Sequence, residues 1–348
     1  MNEDLSLHKV VLPNDLVGPP TGVGWEVGFW DSQLNDIVSD SNEDTFKNVQ
    51  SLSRKIIKSF SSNFYTISRI LPKDKRSAVE CIYSMVRFPD EVVDTFNLSG
   101  NEKHKLLDEW DHQYAKSLDS KSFQDALDRS KNPLISYFRE LCINLSIPVD
   151  CYPNFTKSMR KDIEPRMYKN FDDLIQNYVF GSAITVGHLL THAYGHAEST
   201  NMASALKTSR SLGIALQLTN FARDIKDDLN RQRCYVPLIL FKSFYNPDTN
   251  ELNIPSEIEV RKAQVALAEE AEKYYCETWE GINNFSSDAV PAIKACTSVF
   301  QQLNKKIISN EHSVQNRISL SIFHKIRSVP YKHYPKMIFL YLADSVSD

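Results

Sequence analysis

From about residue 46 to residue 345, apolar side chains recur at helical spacing in segments of about 12 to 25 residues. Pro72, Pro89, Pro133, Pro148, Pro165, Pro237, Pro247, Pro255, Pro291 and Pro330 punctuate them. Alternating Val/Ile/Thr/Tyr strand patterns are nearly absent, and there is neither a repeat of fixed period nor a low-complexity tract. The expected fold class is therefore all-α, with residues 46–348 forming one helical domain. Residues 1–45 break the pattern. Pro13, Pro19, Pro20, Gly22, Gly24 and Gly28 crowd there with Trp25, Phe29 and Trp30. So many breakers predict an irregular extension, and the aromatic residues predict that it docks on the main body.

Composition narrows this picture. Apolar residues make up 42% of 348, enough for a large core, and Gly at 10 is scarce for a strand-rich fold. The 40 basic and 44 acidic side chains leave a net charge of −4, which argues against a general nucleic-acid binder. Cys81, Cys142, Cys151, Cys234, Cys276 and Cys296 lie far apart without C-x-x-C spacing, so they read as buried thiols of a reducing compartment. The opening Met1–Leu5 lacks a signal-peptide pattern, and no apolar run approaches membrane-spanning length; Met337–Ala343 is far too short. The expected location is the cytoplasm, free or in peripheral contact with a membrane. No basic amphipathic helix announces such contact, and no protein partner can be read.

Two acidic helical segments carry the chemistry. In the first, Tyr83, Arg87, Asp90 and Asp94 fall at i, i+4, i+7 and i+11, on one helix face. In the second, Gln217, Asn220, Asp224 and Asp228 make a similar stripe, beside an apolar one of Ile214, Leu218, Phe221 and Ile225. Aspartates four apart on a helix repel each other, so each pair needs a cation or free water. Carboxylates on two facing helices suit Mg²⁺, which joins one or two carboxylates to substrate phosphates. A solvated helix face is the plainer alternative for either stripe alone. His188, His192 and His196 also recur at i, i+4, i+8, but Gly195 predicts a helix end between them. A partly exposed face is preferred there over a metal site.

Ordered blocks make the reading specific. Ser62-Asn-Phe-Tyr65, Leu71-Pro72, Arg76–Val79, Ile82-Tyr83, Arg87 and Asp90–Asp94 resemble the opening block of the squalene/phytoene synthase family. Arg166-Met-Tyr168, Tyr178–Ala183 and Val186-Gly187 resemble its middle block. Gly213, Gln217–Asn220, Arg223-Asp224, Asp228, Arg231, Arg233, Tyr235 and Pro237 resemble the third, over about residues 50 to 320 in all. The wording is closest to bacterial phytoene-synthase-like members.

The resemblance implies an isoprenoid-synthase-type helical bundle around a central cavity, joining two prenyl diphosphates head to head. By resemblance, Asp90, Asp94, Asn220, Asp224 and Asp228 hold a Mg²⁺ cluster (Mn²⁺ as an alternative), and the four aspartates are the catalytic set. Arg87 and Arg223 match diphosphate contacts, Tyr83 and Gln217 line the substrate, and Arg233 and Tyr235 belong to a segment that closes over the site. Substrates are geranylgeranyl or farnesyl diphosphate, with phytoene-type synthesis favoured; NADPH enters only for a squalene-type product. The rivals are a class I terpene cyclase, a synthase that stops at the cyclopropyl intermediate, and a non-catalytic assembly protein. Three departures stand out. Phe60-Ser61-Ser62-Asn63 replaces a phosphate-contacting segment and leaves Ser61, Ser62 and Asn63 as donors. Pro89 sits inside the first acidic helix, where it removes a backbone bond and could re-aim Asp90. His312 stands where the family often has a Tyr near the cavity, with Arg317 following.

Overall fold

The computed structural model describes residues 27–39, 41–164, 166–246, 251–253, 255–310 and 318. Trp25, Ser62's side chain, Phe29's side chain, His312, Arg317 and Met337–Ala343 lie outside the described residues. Among the described residues the chain is almost wholly helical. Helices α1 (Val27–Asp36), α2 (Asn42–Phe60), α3 (Ser62–Ser68) and α4 (Lys73–Asp94) open it. Then come α5 (Gly100–Ser117), α6 (Phe123–Ser130), α7 (Pro133–Asn144) and α8 (Cys151–Arg160). A third group is α9 (Phe171–Leu174), a π-helical stretch Ile175–Ile184, α10 (Thr185–Tyr194) and α11 (Met202–Asn230). Finally α12 (Glu257–Gly281) and α13 (Val290–Ser309) pack on α11. The strands β1 (Tyr245–Asn246) and β2 (Glu251–Leu252) make a short antiparallel ribbon. No helix of the described residues is long and apolar enough to cross a membrane.

Local chemistry starts these helices where the sequence punctuates. Ser99 and Ser256 form capping boxes with Glu102 and Glu259, satisfying otherwise orphaned amides. Asn132 caps α7 ahead of Pro133, which stands where its missing N–H costs nothing. Inside the expected irregular extension the structure places α1, because Val27–Asp36 contains no proline and its single glycine, Gly28, falls in the first turn. Trp30 is fully buried there, 6.2 Å from the Phe60 ring and 5.3 Å from Phe88.

The apolar faces bury into two cores that meet along α10. One gathers α2, α4, α5, α7 and α8; the other gathers α11, α12, α13 and the π-helical stretch. Close approach between helices depends on glycine. A Cβ at Gly181 would sit 2.5 Å from the Asn154 carbonyl of α8, and one at Gly213 3.1 Å from the Ala183 carbonyl.

Pro89 neither ends α4 nor leaves a bond unmade. The carbonyl it cannot bond, that of Met85 one turn earlier, accepts the Tyr152 hydroxyl at 2.7 Å. The Trp110 indole N–H in turn donates to Tyr152 at 2.6 Å. A helix interior proline is tolerated here because α8 supplies the replacement donor.

Candidate active site

The second halves of α4 and α11 form facing walls of a polar cavity of about 440 Å³. Asp90 and Asp94 reach it from α4; Asn220, Asp224 and Asp228 reach it from α11. It adjoins an apolar cavity of about 250 Å³ between the two cores. Arg87, Asp90, Gln217 and Asn220 line both, so they mark the junction. Tyr83 lines the apolar side of that junction, and Arg223, Arg233 and Tyr235 line the polar side. Helical spacing puts these residues on two stripes, and the packing of the bundle makes the stripes confront each other across the cavity.

Each aspartate stripe is met by arginines. Arg87 Nη1 lies 2.7 Å from Asp90 Oδ2, and the same guanidinium pairs with the fully buried Glu91. Its other face rests on the Phe60 ring at 4.5 Å, a cation–π contact. Arg223 Nε donates to Asp224 at 2.8 Å. After α11, Gln232 takes a left-handed conformation (φ 64°) that turns Arg231 and Arg233 back toward α4. Arg231 then pairs with Asp94 at 2.9 Å, and buried Arg233 pairs with the other Asp94 oxygen and donates to the Val93 carbonyl at 3.1 Å. The segment after α11 is thereby tied to the C-terminal end of α4.

Electrostatics divide the acids. Burial pushes the Asp90 carboxyl up to about 7 despite Arg87 beside it, with Asp94 and Glu91 adding repulsion. Burial and the neighbouring Asp224 raise Asp228 well above the ordinary carboxylate range. Asp94 goes the other way: burial opposes ionisation, yet Arg233 and Arg231 hold it below its usual value. The cavity wall thus holds seven carboxyl groups against four arginines, and a bound cation would favour the ionised forms of those that burial holds neutral. Hard oxygen donors in such surplus fit a divalent cation that completes its shell with water and phosphate. Mg²⁺ needs no closed protein cage for this, and among the described residues no ready-made cage of three acids, histidines or thiols is formed.

The structure also brings in residues that spacing did not reveal. Asp162, after α8, accepts the Tyr178 hydroxyl at 2.6 Å and the Tyr235 hydroxyl at 2.7 Å, and the Tyr235 ring stacks on Phe221 at 4.2 Å. Burial raises the Asp162 carboxyl, and Arg233 counters it. A lone aspartate has no periodic signal, and the sequence marks Asp162 only as a match to a recurrent acid of the family that could equally support the fold. Arg231 is marked only by the third block, Phe60 only as a departure and Glu91 only by its place between Asp90 and Asp94. Two expected contacts are placed differently, while the helix end expected at Gly195 is present. Neither cavity wall includes Ser61 or Asn63, because Ser61 accepts the Phe64 amide as the N-cap of α3 and its hydroxyl serves Tyr83. The Asn63 side-chain Oδ1 is buried without a hydrogen-bond partner. His196 leaves the face shared by His188 and His192, since α10 ends at Tyr194 and Gly195 adopts φ 74°.

Residues 57–324 match the family model described as squalene/phytoene synthase. The chain is 26% identical over 290 residues to a chloroplastic phytoene synthase 2 of Solanum lycopersicum, covering 80% of this chain and 87% of that one. It is 26% identical over 277 residues to a phytoene synthase of Arthrospira platensis, with 76% and 86% covered. Among solved structures, a dehydrosqualene synthase bound to a ligand superposes with a TM-score of 0.66 at 20% identity, covering 81% of this chain and 94% of that one. A squalene synthase from Alicyclobacillus acidocaldarius superposes at 0.62 and 18% identity, with 78% and 97% covered.

Proposed function

The chain belongs to the squalene/phytoene synthase family, prenyltransferases that join prenyl diphosphates head to head, and on that premise we propose a Mg²⁺-dependent condensation through a cyclopropylcarbinyl diphosphate to a phytoene- or squalene-type polyene. The observation that carries it is the junction: a charged cavity sized for diphosphates opens directly into an apolar one, with Arg87, Asp90, Gln217 and Asn220 on both walls.

Asp90, Asp94, Asn220, Asp224 and Asp228 would hold the divalent cation, which when bound offsets charge on the leaving diphosphate. Arg87 and Arg223 exchange their aspartate partners for phosphate oxygens, which suit the guanidinium fork. Ionisation breaks the allylic C–O bond, and the cation that forms needs a dry environment. The apolar wall supplies it, and Arg231 and Arg233, anchored on Asp94, keep water from the mouth. The cation adds to the second substrate's double bond and loses a proton, closing the cyclopropane. A second C–O ionisation and rearrangement end in proton loss to a conjugated triene, or in hydride capture from NADPH. No side-chain nucleophile is needed, and released diphosphate can take the proton.

The test is incubation of the full chain with prenyl diphosphates and Mg²⁺, with and without NADPH, following hydrocarbon and diphosphate together. Expected are metal-dependent diphosphate release, its loss with EDTA, and a linear joined polyene. Asp90→Ala and Asp224→Ala should each lower turnover by about 100-fold or more, as expected when charge stabilisation is removed, with helix content unchanged. A cyclic product would assign a cyclase, and accumulation of the cyclopropyl diphosphate a truncated synthase. Absence of metal-dependent release from every prenyl substrate would leave only an assembly role.

A further inference from the structure

The apolar cavity has a depth that two helices measure independently. On α4 its lining runs from Asp90 down to Val79, and on α11 from Asn220 down to Ser209. At a helical rise of about 1.5 Å per residue, both spans give about 16–17 Å from the acidic mouth to the far end. There α10 stops, and Tyr194 and Phe285 close the bottom with their rings edge to face, 6.3 Å apart.

This floor is fastened, not merely packed. Gly195, at φ 74°, turns the chain so that His196 pairs with Phe285 as an antiparallel bridge. The Ala197 amide donates to the Asn284 carbonyl at 2.8 Å, and the Ser286 amide to the Gly195 carbonyl at 3.1 Å. From the first turn of α4, Lys75 Nζ donates to the Tyr194 carbonyl at 2.7 Å and to Ser286 Oγ and Asp288 Oδ1, each at 2.6 Å. Three elements are thereby tied at one point beneath the cavity, and Phe285 is only 2% exposed.

A carbon–carbon single bond of about 1.5 Å advances a staggered chain by about 1.25 Å. A farnesyl backbone is then about 14 Å long and a geranylgeranyl backbone about 19 Å. With C1 level with Asp90 and Asn220, where the two cavities meet, and the diphosphate in the polar cavity beyond, the first fits above the floor with about 2–3 Å to spare and the second overshoots by about 2–3 Å. We propose that the Tyr194–Phe285 floor, clamped by Lys75, restricts this enzyme to 15-carbon prenyl diphosphates. The proposal rests on the condensation reading above and names its substrate class.

The full chain with Mg²⁺ would be titrated with unreactive S-thiolodiphosphate analogues bearing 15- and 20-carbon chains, and kcat/KM measured with both natural diphosphates. The wild type should favour the 15-carbon chain by about 10-fold or more in binding and kcat/KM, the scale set by methylenes that cannot be seated. Tyr194→Ala and Phe285→Ala should each reduce that preference about 10-fold, by admitting the longer chain, and Lys75→Met should shift it the same way by less. Tyr194→Leu and Phe285→Leu, which keep an apolar side chain, provide the same reading if the alanine variants fail to fold. Equal or better handling of the 20-carbon chain by the wild type overturns the proposal. So does a preference unmoved in folded floor variants. If no prenyl diphosphate is turned over, the condensation reading falls, while the analogue binding ratio still decides the floor.

Discussion

Asp90 stands between two demands. Burial and the nearby Asp94 and Glu91 favour its neutral form, while Arg87 at 2.7 Å favours its charge. Its folded-state titration near 7 lies above the unfolded value, so ionisation costs the ligand-free fold stability. That cost is absent well below pH 4, grows as pH rises toward about 7, and is complete above it. Asp90→Asn should therefore raise the Tm of the ligand-free protein more at pH 8 than at pH 5, while turnover is lost. Arg87 keeps a partner in the variant through Glu91. A melting series that gains equally at both pH values would show that the carboxyl is not held neutral by its surroundings. Stability given up at a functional site is a common trade.

Among the helices, α4 illustrates how a local rule is overridden by a distant partner. Pro89 removes an N–H from the helix, and the Tyr152 hydroxyl replaces it at the Met85 carbonyl. Tyr152→Phe should cost about 1–3 kcal/mol, since it leaves both that carbonyl and the Trp110 N–H without their buried partner. In a Pro89→Ala background the backbone bond returns, so the same substitution should cost about 1 kcal/mol less. Urea midpoints at constant m would measure the cycle; strictly additive changes would mean that proline and tyrosine are not coupled. The π-helical stretch shows a similar dependence, because Gly181 lets it pass close to α8 in a way that any side chain would obstruct.

At the scale of the molecule, the leading segment is tied to the chemistry. Trp30 of α1 packs on Phe60, and Phe60 in turn supports the Arg87 guanidinium. Trp30→Ala should cost about 3–5 kcal/mol, as for other large buried aromatic residues, and should also weaken diphosphate binding. Chemical denaturation and calorimetric titration with diphosphate plus Mg²⁺ would check the two effects. Destabilisation with unchanged diphosphate affinity would confine α1 to a structural role. The apolar cavity runs between the two cores and adjoins the polar one, so an apolar and a charged wall lie side by side.

The all-α class and the two acid stripes were legible in the chain itself, because helical periodicity is local: residues four apart share a face whatever else the protein does. The order of the blocks likewise pointed to the family. What Tyr194, Phe285 and Lys75 do together could not be read that way, nor could the service of Tyr152 to Pro89 or the pairing of Arg231 and Arg233 with Asp94. These contacts join positions up to about two hundred residues apart, and only packing decides which distant side chains become neighbours. Sequence leaned toward a 20-carbon substrate on wording alone; the depth of a cavity is a distance between helix ends, and distance exists only once the helices are assembled.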